Sequence, residues 1–423
     1  MFQKTVLNNG LTIITQNTHS ESLTVLCLVG AGSRYEVQEN RGISHFLEHM
    51  FFKGGKTFSA AQDVAGAIDA IGGDFNAFTG KEYAGYYVKC ATEHQKVAYS
   101  VLSDMLLHAH FNQEDIEKER GVILEELNMY LDTPMYQASW DFENFLLGDQ
   151  ALGWDTIGTK EFINSVDTKE FHEYKKSLYV PENTVITIAG GVSHKEIVAE
   201  MEHFFGEMKG SQERKPAKLE SFKADSRVYI RQKKTEQGHF VLGGKGPYAK
   251  HPDAYIFKVL AVLTGGMMSS RMFLNIREAR GLCYYISTST DDFTDVGIIS
   301  TRAGVDLKRT EEAVEAVLEE YKKLREEKIG AEELQKAKNY LLGKMKLRLE
   351  DSEEVAHMLG KQELLYKDIL PLKEIEEKIK NITAEDIHRL AQDVFDPKNL
   401  QLSLIGDFED KRENLEKIMN KYI

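Results

Sequence analysis

The sequence predicts an α+β protein of two duplicated domains, each a mainly antiparallel sheet packed with helices. Three observations carry this expectation. Strand-like and helix-like segments alternate along the chain, a punctuated helix–turn–strand pattern occurs twice at a constant offset, and a polar stretch separates the copies. At 423 residues the chain is also too long for one ordinary core.

The repeated pattern is explicit. "TKEFHEYKKSLYVPENTVITIAGG" from Thr168 compares with "TAEDIHRLAQDVFDPKNLQLSLIGDF" from Thr383. Each reads as a Thr helix cap, an amphipathic helix, a Pro-x-Asn turn, and an alternating strand ending in Gly. Pro181 and Pro397, Asn183 and Asn399, and Gly190 and Gly406 are each 216 positions apart (397 − 181). Upstream, "NQEDIEKERGVILEEL" from Asn112 resembles "GAEELQKAKNYLLGKM" from Gly330, an offset of 218 (330 − 112). The stretch "GEMKGSQERKPAKLESFKADSR" is polar and charged, with Gly, Ser and Pro, and reads as a linker. The expected division is a first domain over 1–208, a linker over 209–226 and a second domain over 227–423. Runs such as "TVLCLVGAGS", "AGYYVKCAT" and "GIISTRAGV" read as strands. Val314, Val317, Leu318, Tyr321 and Leu324 share one face at helical spacing.

Composition limits the functional classes. With 42% hydrophobic and 28% charged residues this is an ordinary globular chain, and no apolar run reaches the eighteen residues of a membrane span. The opening "MFQKTVLNNGLTII" enters strand-like sequence with no basic-then-apolar leader, so a cytoplasmic, bacterial protein is expected. A formal net charge of −14 argues against nucleic acid and anionic membranes, and favours basic partners or substrates. Cys27, Cys90 and Cys283 lack CxxC spacing and are expected to be buried, unreactive thiols.

One stretch asks for chemistry. In "SHFLEHMFF", from Ser44, two histidines are four apart on an apolar helix, so His45 and His49 project together. Zinc suits two imidazoles and a carboxylate with a fourth position for water, and Glu48 is placed to take that water's proton. With 13 histidines in the chain, H-x-x-E-H arises by chance in roughly 0.04 of such sequences, so the motif alone is only suggestive. Downstream, "EKERGVILEEL" offers Glu119 and Glu126, two helical turns apart on one face. Glu126 follows His49 by 77 residues (126 − 49).

H-x-x-E-H inverts the HExxH motif of zinc proteases. With a glutamate at this distance the chain resembles the pitrilysin family, which includes insulysin and the mitochondrial processing peptidases. The similarity covers nearly the whole chain, and its size resembles the short, two-domain bacterial processing-peptidase branch. The resemblance implies one zinc ion held by His45, His49 and Glu126, with Glu48 as general base and Glu119 supporting the ligands. Glu125 is a neighbouring alternative to Glu126, which faces the same way as Glu119. At the second-half offset Glu126 is replaced by Lys344 and Glu119 by Ala337, and the helix "IFKVLAVLTGG" lacks histidine and glutamate. One half alone is built for metal.

The same resemblance extends to substrate. Asn76, Ala77, Phe78 and Thr79 look like the edge strand onto which the family adds an extended peptide, within what otherwise reads as a hairpin turning at Gly80. Arg277 and Tyr284, seven apart in "GGMMSSRMFLNIREARGLCYY", match a pair that reaches the scissile region, with Tyr285 as a neighbouring candidate; without the resemblance they read as a surface Arg and a half-buried strand Tyr. Long family members close four such domains around a chamber. Two domains therefore imply half of a clamshell chamber and a homodimer, with Arg277 and Tyr284 supplied across the interface. Other readings are the catalytic subunit of a heterodimer, a non-catalytic scaffold relative, and an α+β protein with a chance motif and no metal.

Overall fold

The computed structural model describes residues 2–422. Two sheets organise the chain. The first contains β1 (Gln3–Val6), β2 (Thr12–Asn17), β3 (Ser22–Val29), β4 (Asp74–Thr79), β5 (Ala84–Ala91) and β6 (Thr184–Gly190), in the order β1-β2-β6-β3-β5-β4. The second contains β7 (Val228–Gln232), β8 (Gly238–Gly246), β9 (Cys283–Asp292), β10 (Gly297–Val305) and β11 (Gln401–Gly406), in the order β7-β11-β8-β10-β9. Each has one parallel pair, β2 with β6 and β7 with β11, and is otherwise antiparallel. The mainly antiparallel α+β expectation holds, and "GIISTRAGV" is β10.

The duplication is visible at atomic detail. Asn183 Nδ2 donates to the carbonyls of Gly30 and Leu178, both at 2.8 Å. Asn399 Nδ2 donates to those of Lys245 and Val394, at 2.7 and 2.8 Å. Each amide ties the end of a helix to a neighbouring strand, which is why the Pro-x-Asn punctuation recurs. Gly190 and Gly406 both hold positive φ, 146° and 154°.

Two details differ from the sequence expectation. Thr383 caps its helix by accepting from the Asp386 amide, but in the first copy Asp167 is the cap, and the Thr168 hydroxyl donates to the Phe111 carbonyl. β6 is buried at every position rather than alternating, because side chains pack on both of its faces.

Four helices matter below: α1 (Ile43–Phe51), α2 (Gln113–Asp132), α3 (Pro134–Leu147) and α4 (Ser352–Lys361). α4 lies in the second half of the sequence, yet Val355, Ala356 and Leu359 pack on Ile14, Leu26, Leu28 and Val185 of the first sheet. α3 lies in the first half, yet Ala138, Phe142 and Leu146 pack on Val241, Ile298 and Ile405 of the second. Equivalent helices have been exchanged. The compact units are therefore interleaved: one comprises the chain up to Leu127, Asp155–Ala217 and Leu347–Ile369, and the other Asn128–Trp154, Lys218–Lys346 and the chain from Leu370. The continuous domains 1–208 and 227–423 are corrected accordingly. The stretch between Met208 and Val228 carries neither helix nor strand, and the boundary between the units falls within it, after Ala217.

Cys27 and Cys90 are buried free thiols, and Cys283 is only partly buried, contrary to expectation. Among the described residues no helix is long and apolar enough to cross a membrane.

Candidate metal centre

Helix α1 carries the centre, and its sequence explains its placement. Phe46, Leu47, Met50 and Phe51 are fully buried, and Phe51 meets Tyr86 of β5 edge-on at 5.1 Å. Burying that face turns His45, Glu48 and His49 toward the opposite side. The histidine rings meet edge-on with centroids 4.7 Å apart.

The start of α1 and the loop that follows it are each tied down by a buried carboxylate. At the start, Glu36 accepts from the Gly42 amide at 2.8 Å and the Ser44 amide at 2.9 Å. Beyond the end, Asp104 accepts from the amides of Lys56, Thr57 and Phe58 at 3.0–3.1 Å. Burial pushes the Glu36 acid up to about 7, against the opposing effect of its two amide donors.

Glu126 on α2 completes a triad. Its Oε2 is 3.7 Å from His45 Nε2 and 3.6 Å from His49 Nε2, and one ligand atom from each of the three residues lies within 4.8 Å of the others. Donors at zinc-bond lengths in a tetrahedron are separated by about 3.3 Å, so the glutamate stands within a few tenths of an ångström of that spacing from each imidazole. Two nitrogens and one carboxylate oxygen are the donor set zinc prefers, and three protein donors leave a position open. The residues present fit the ion. Glu125, the alternative, is exposed and outside the cluster.

The electrostatics differ between the two histidines. Burial, with His49 beside it, pushes His45 down to about 3, so it is neutral, as a metal ligand must be. For His49, burial also opposes the charge, but the hydrogen bond to Glu119 and the carboxylates of Glu48, Glu119 and Glu126 outweigh it and hold the imidazolium above its usual range. His49 Nδ1 lies 2.8 Å from Glu119 Oε1, and Lys53 Nζ pairs with the other oxygen. Burial opposes ionisation of Glu119, yet these two donors keep it below the usual carboxylate range.

Glu48 accepts from the Thr79 hydroxyl. Burial, reinforced by Glu126, raises its acid above the ordinary value despite the Thr79 bond and His49. Thr79 ends β4, an edge strand of the first sheet, which also carries Asn76, Ala77 and Phe78. The hairpin closes at Gly80, whose amide donates to the Tyr83 carbonyl at 2.9 Å. The structure thus joins the edge strand to Glu48 through one hydroxyl.

Arg277 and Tyr284 belong to the other unit and are joined to each other. Arg277 lies over the Phe273 ring at 4.6 Å, and its Nε donates to the Tyr284 carbonyl at 3.0 Å. The Tyr284 side chain is 78% exposed, more than the half-buried strand residue that sequence alone suggests. Tyr285 is occupied internally, with its hydroxyl 3.0 Å from His239 Nδ1.

Sequence reasoning missed Lys53, the Thr79–Glu48 bond, Glu36 and Asp104. Lys53 stands four residues after His49, in the turn just beyond the end of α1, a spacing that was readable. Glu36 lies close to α1 in sequence but no helix-cap pattern marks it, and Asp104 reaches the loop after α1 only through tertiary structure.

A duplicated α+β chain with an inverted two-histidine motif completed by a distant glutamate defines a class of metallopeptidase. Residues 12–143 match the family described as Insulinase (Peptidase family M16), and residues 165–341 match Peptidase M16 inactive domain. The chain is 34% identical to the uncharacterized zinc protease YmxG of Bacillus subtilis, over 96% of this chain and 98% of that relative. It is 33% identical to an uncharacterized zinc protease of Streptomyces coelicolor, over 97% and 90%. In fold it is similar to a protease from Helicobacter pylori, with TM-score 0.90 and 21% identity over 96% of this chain and 99% of that one. A structure described as peptidase M16 inactive domain from Pseudomonas fluorescens gives 0.89 and 15%, over 96% and 98%. The chain belongs to the M16 peptidase family, and both relatives are named zinc proteases.

Proposed function

We propose that this protein is a bacterial zinc endopeptidase that hydrolyses short or unfolded, basic peptides inside a closed chamber. The observation that carries the reading is the His45–His49–Glu126 triad with Glu48 on the same helix. One zinc ion per chain would be held by these three residues and would supply Lewis-acid polarisation of the carbonyl and acidification of a water. Glu48 stands where a general base is needed: it accepts the attacking water's proton and returns it to the leaving amine. Its acid, held above the ordinary carboxylate range, is suited to taking up the proton and then giving it back. Thr79 holds one carboxylate oxygen and leaves the other free to receive the proton. Glu119 fixes the tautomer of His49 so that Nε2 faces the ion.

Substrate would join β4 at Asn76–Thr79 as an added strand. That mode satisfies backbone hydrogen bonds without reading sequence, which suits unfolded peptides of many kinds. The acidic chain, at −14, supports basic substrates. The chain carries both the metal set and the Arg277–Tyr284 pair, which supports a homodimer in which each subunit supplies that pair to the other's centre. There Tyr284 would stabilise the developing oxyanion.

The test is cleavage of a mixed panel of unstructured peptides, some basic, with and without chelator, beside Glu48→Gln. Chelator-sensitive cleavage restored by zinc, and absent in a variant that still binds metal, is the expected result. A pure protein that binds no zinc and cleaves nothing would overturn the reading.

A further inference from the structure

A histidine that binds a metal through Nε2 needs its ring aimed, and a partner on Nδ1 usually does the aiming. Here the two ligand histidines are unequal. His49 has Glu119. His45 Nδ1 is buried, and none of the described residues makes a hydrogen bond to it. Its aim is left to the packing of its ring, edge-on to His49, and to the backbone that carries it.

That backbone is the first turn of α1, which has no local cap. The N-cap is Gly42, with φ 102° and no side chain to accept from the turn. No other residue fits there. A Cβ at Gly42 would stand 2.5 Å from the Ile157 carbonyl oxygen and 2.8 Å from Gly158 Cα, and the positive φ disfavours side chains independently. The amides at the helix start need acceptors, and Gly42, Ile43 and Ser44 are buried. Glu36 fills the gap from six residues upstream, with one carboxylate oxygen on the Gly42 amide and the other on the Ser44 amide. Ser44 is held a second time, its Oγ 2.6 Å from the Tyr174 hydroxyl. His45 is the next residue.

We propose that Glu36 is a positioning residue for the metal centre: its buried carboxylate fixes α1 at Gly42 and Ser44 and thereby aims His45, the ligand with no side-chain partner of its own. The inference rests on the metal reading above. It divides the support of the centre in two, with Glu119 acting on His49 through the ring and Glu36 acting on His45 through the main chain.

The experiment is zinc affinity by chelator competition, together with the visible spectrum of the cobalt-substituted protein, for wild type, Glu36→Gln and Glu36→Asp. The amide keeps the shape but offers one acceptor oxygen for two amides. The shorter acid keeps the charge but cannot reach both, and it serves if the amide variant fails to fold. Expected is a loss of zinc affinity of about 10- to 100-fold with an altered cobalt band, the scale of losing a ligand's support. Either variant binding zinc within about twofold of wild type, with an unchanged cobalt spectrum and only a lower melting temperature, would overturn the proposal and leave Glu36 a helix cap. Failure of wild type itself to bind zinc would instead overturn the peptidase reading and this inference with it.

Discussion

His49 presents Nδ1 to Glu119 Oε1 at 2.8 Å, which leaves Nε2 as the nitrogen facing Glu126. Neutralising that partner weakens the bond that fixes the ring and its tautomer. Glu119→Gln is expected to weaken zinc binding by about 10- to 100-fold in a chelator competition. Lys53→Met should act in the same direction and less strongly, because it leaves the His49 contact in place. Unchanged affinity in Glu119→Gln would mean that the ring is held by packing alone.

Metal removal should cost stability as well as activity. The three donors come from α1 and α2, so an ion would cross-link two elements that the chain otherwise joins through about sixty residues. Free zinc at a hundred times its dissociation constant would stabilise the folded state by about 2.7 kcal/mol. Thermal unfolding should therefore shift upward with zinc and back with chelator. The double variant His45→Ala, His49→Ala should show neither shift. A zinc-dependent shift that survives in that variant would place the ion elsewhere.

The sequence displayed this centre unevenly. His45, Glu48 and His49 were legible because they share one helical turn, and a period of four needs no tertiary information. Glu126 needed the family resemblance to be linked to the histidines; helical spacing from Glu119 favoured it over Glu125, and the exposure of Glu125 agrees. Strands and helices followed their patterns where one face is wet. β6 did not, because both its faces are covered and its side chains no longer alternate. The domain boundaries were misplaced for a related reason. α3 and α4 look like ordinary members of their own halves, and only contacts across hundreds of residues show each on the other half's sheet.

That exchange makes a sharp forecast about fragments. A chain ending at 210 lacks α4 and would leave Leu26, Leu28 and Val185 bare, an apolar area for which soluble proteins usually find a cover. Residues 1–210 and 211–423 expressed separately should each aggregate or stay partly folded. Expressed together they should form a soluble complex that elutes as one species. A well-folded 1–210 fragment, with dispersed amide resonances and a cooperative melt, would show that α4 is dispensable to the first sheet.

Lys175 offers a test of burial against charge away from the metal. Its ammonium lies 5.9 Å from the Phe51 ring centre and 5.8 Å from that of Phe111, and it donates to the Leu107 carbonyl at 2.9 Å. Burial holds it down at about 8, against an ordinary value of 10.5. The sign follows from proton counting. Below about 8 both folded and unfolded chains carry the proton, and the folded state bears the full cost of the buried charge. Between about 8 and 10.5 the folded protein has released a proton that the unfolded chain still holds, so stability attributable to this group rises with pH. The difference corresponds to about 3 kcal/mol at most. Lys175→Met removes the titration. Measured by denaturant unfolding, the stability of wild type relative to Lys175→Met should improve by up to that amount from pH 7.5 to pH 10.5. A difference that stays flat across the window would mean that the carbonyl and the two rings solvate the ammonium as well as water does.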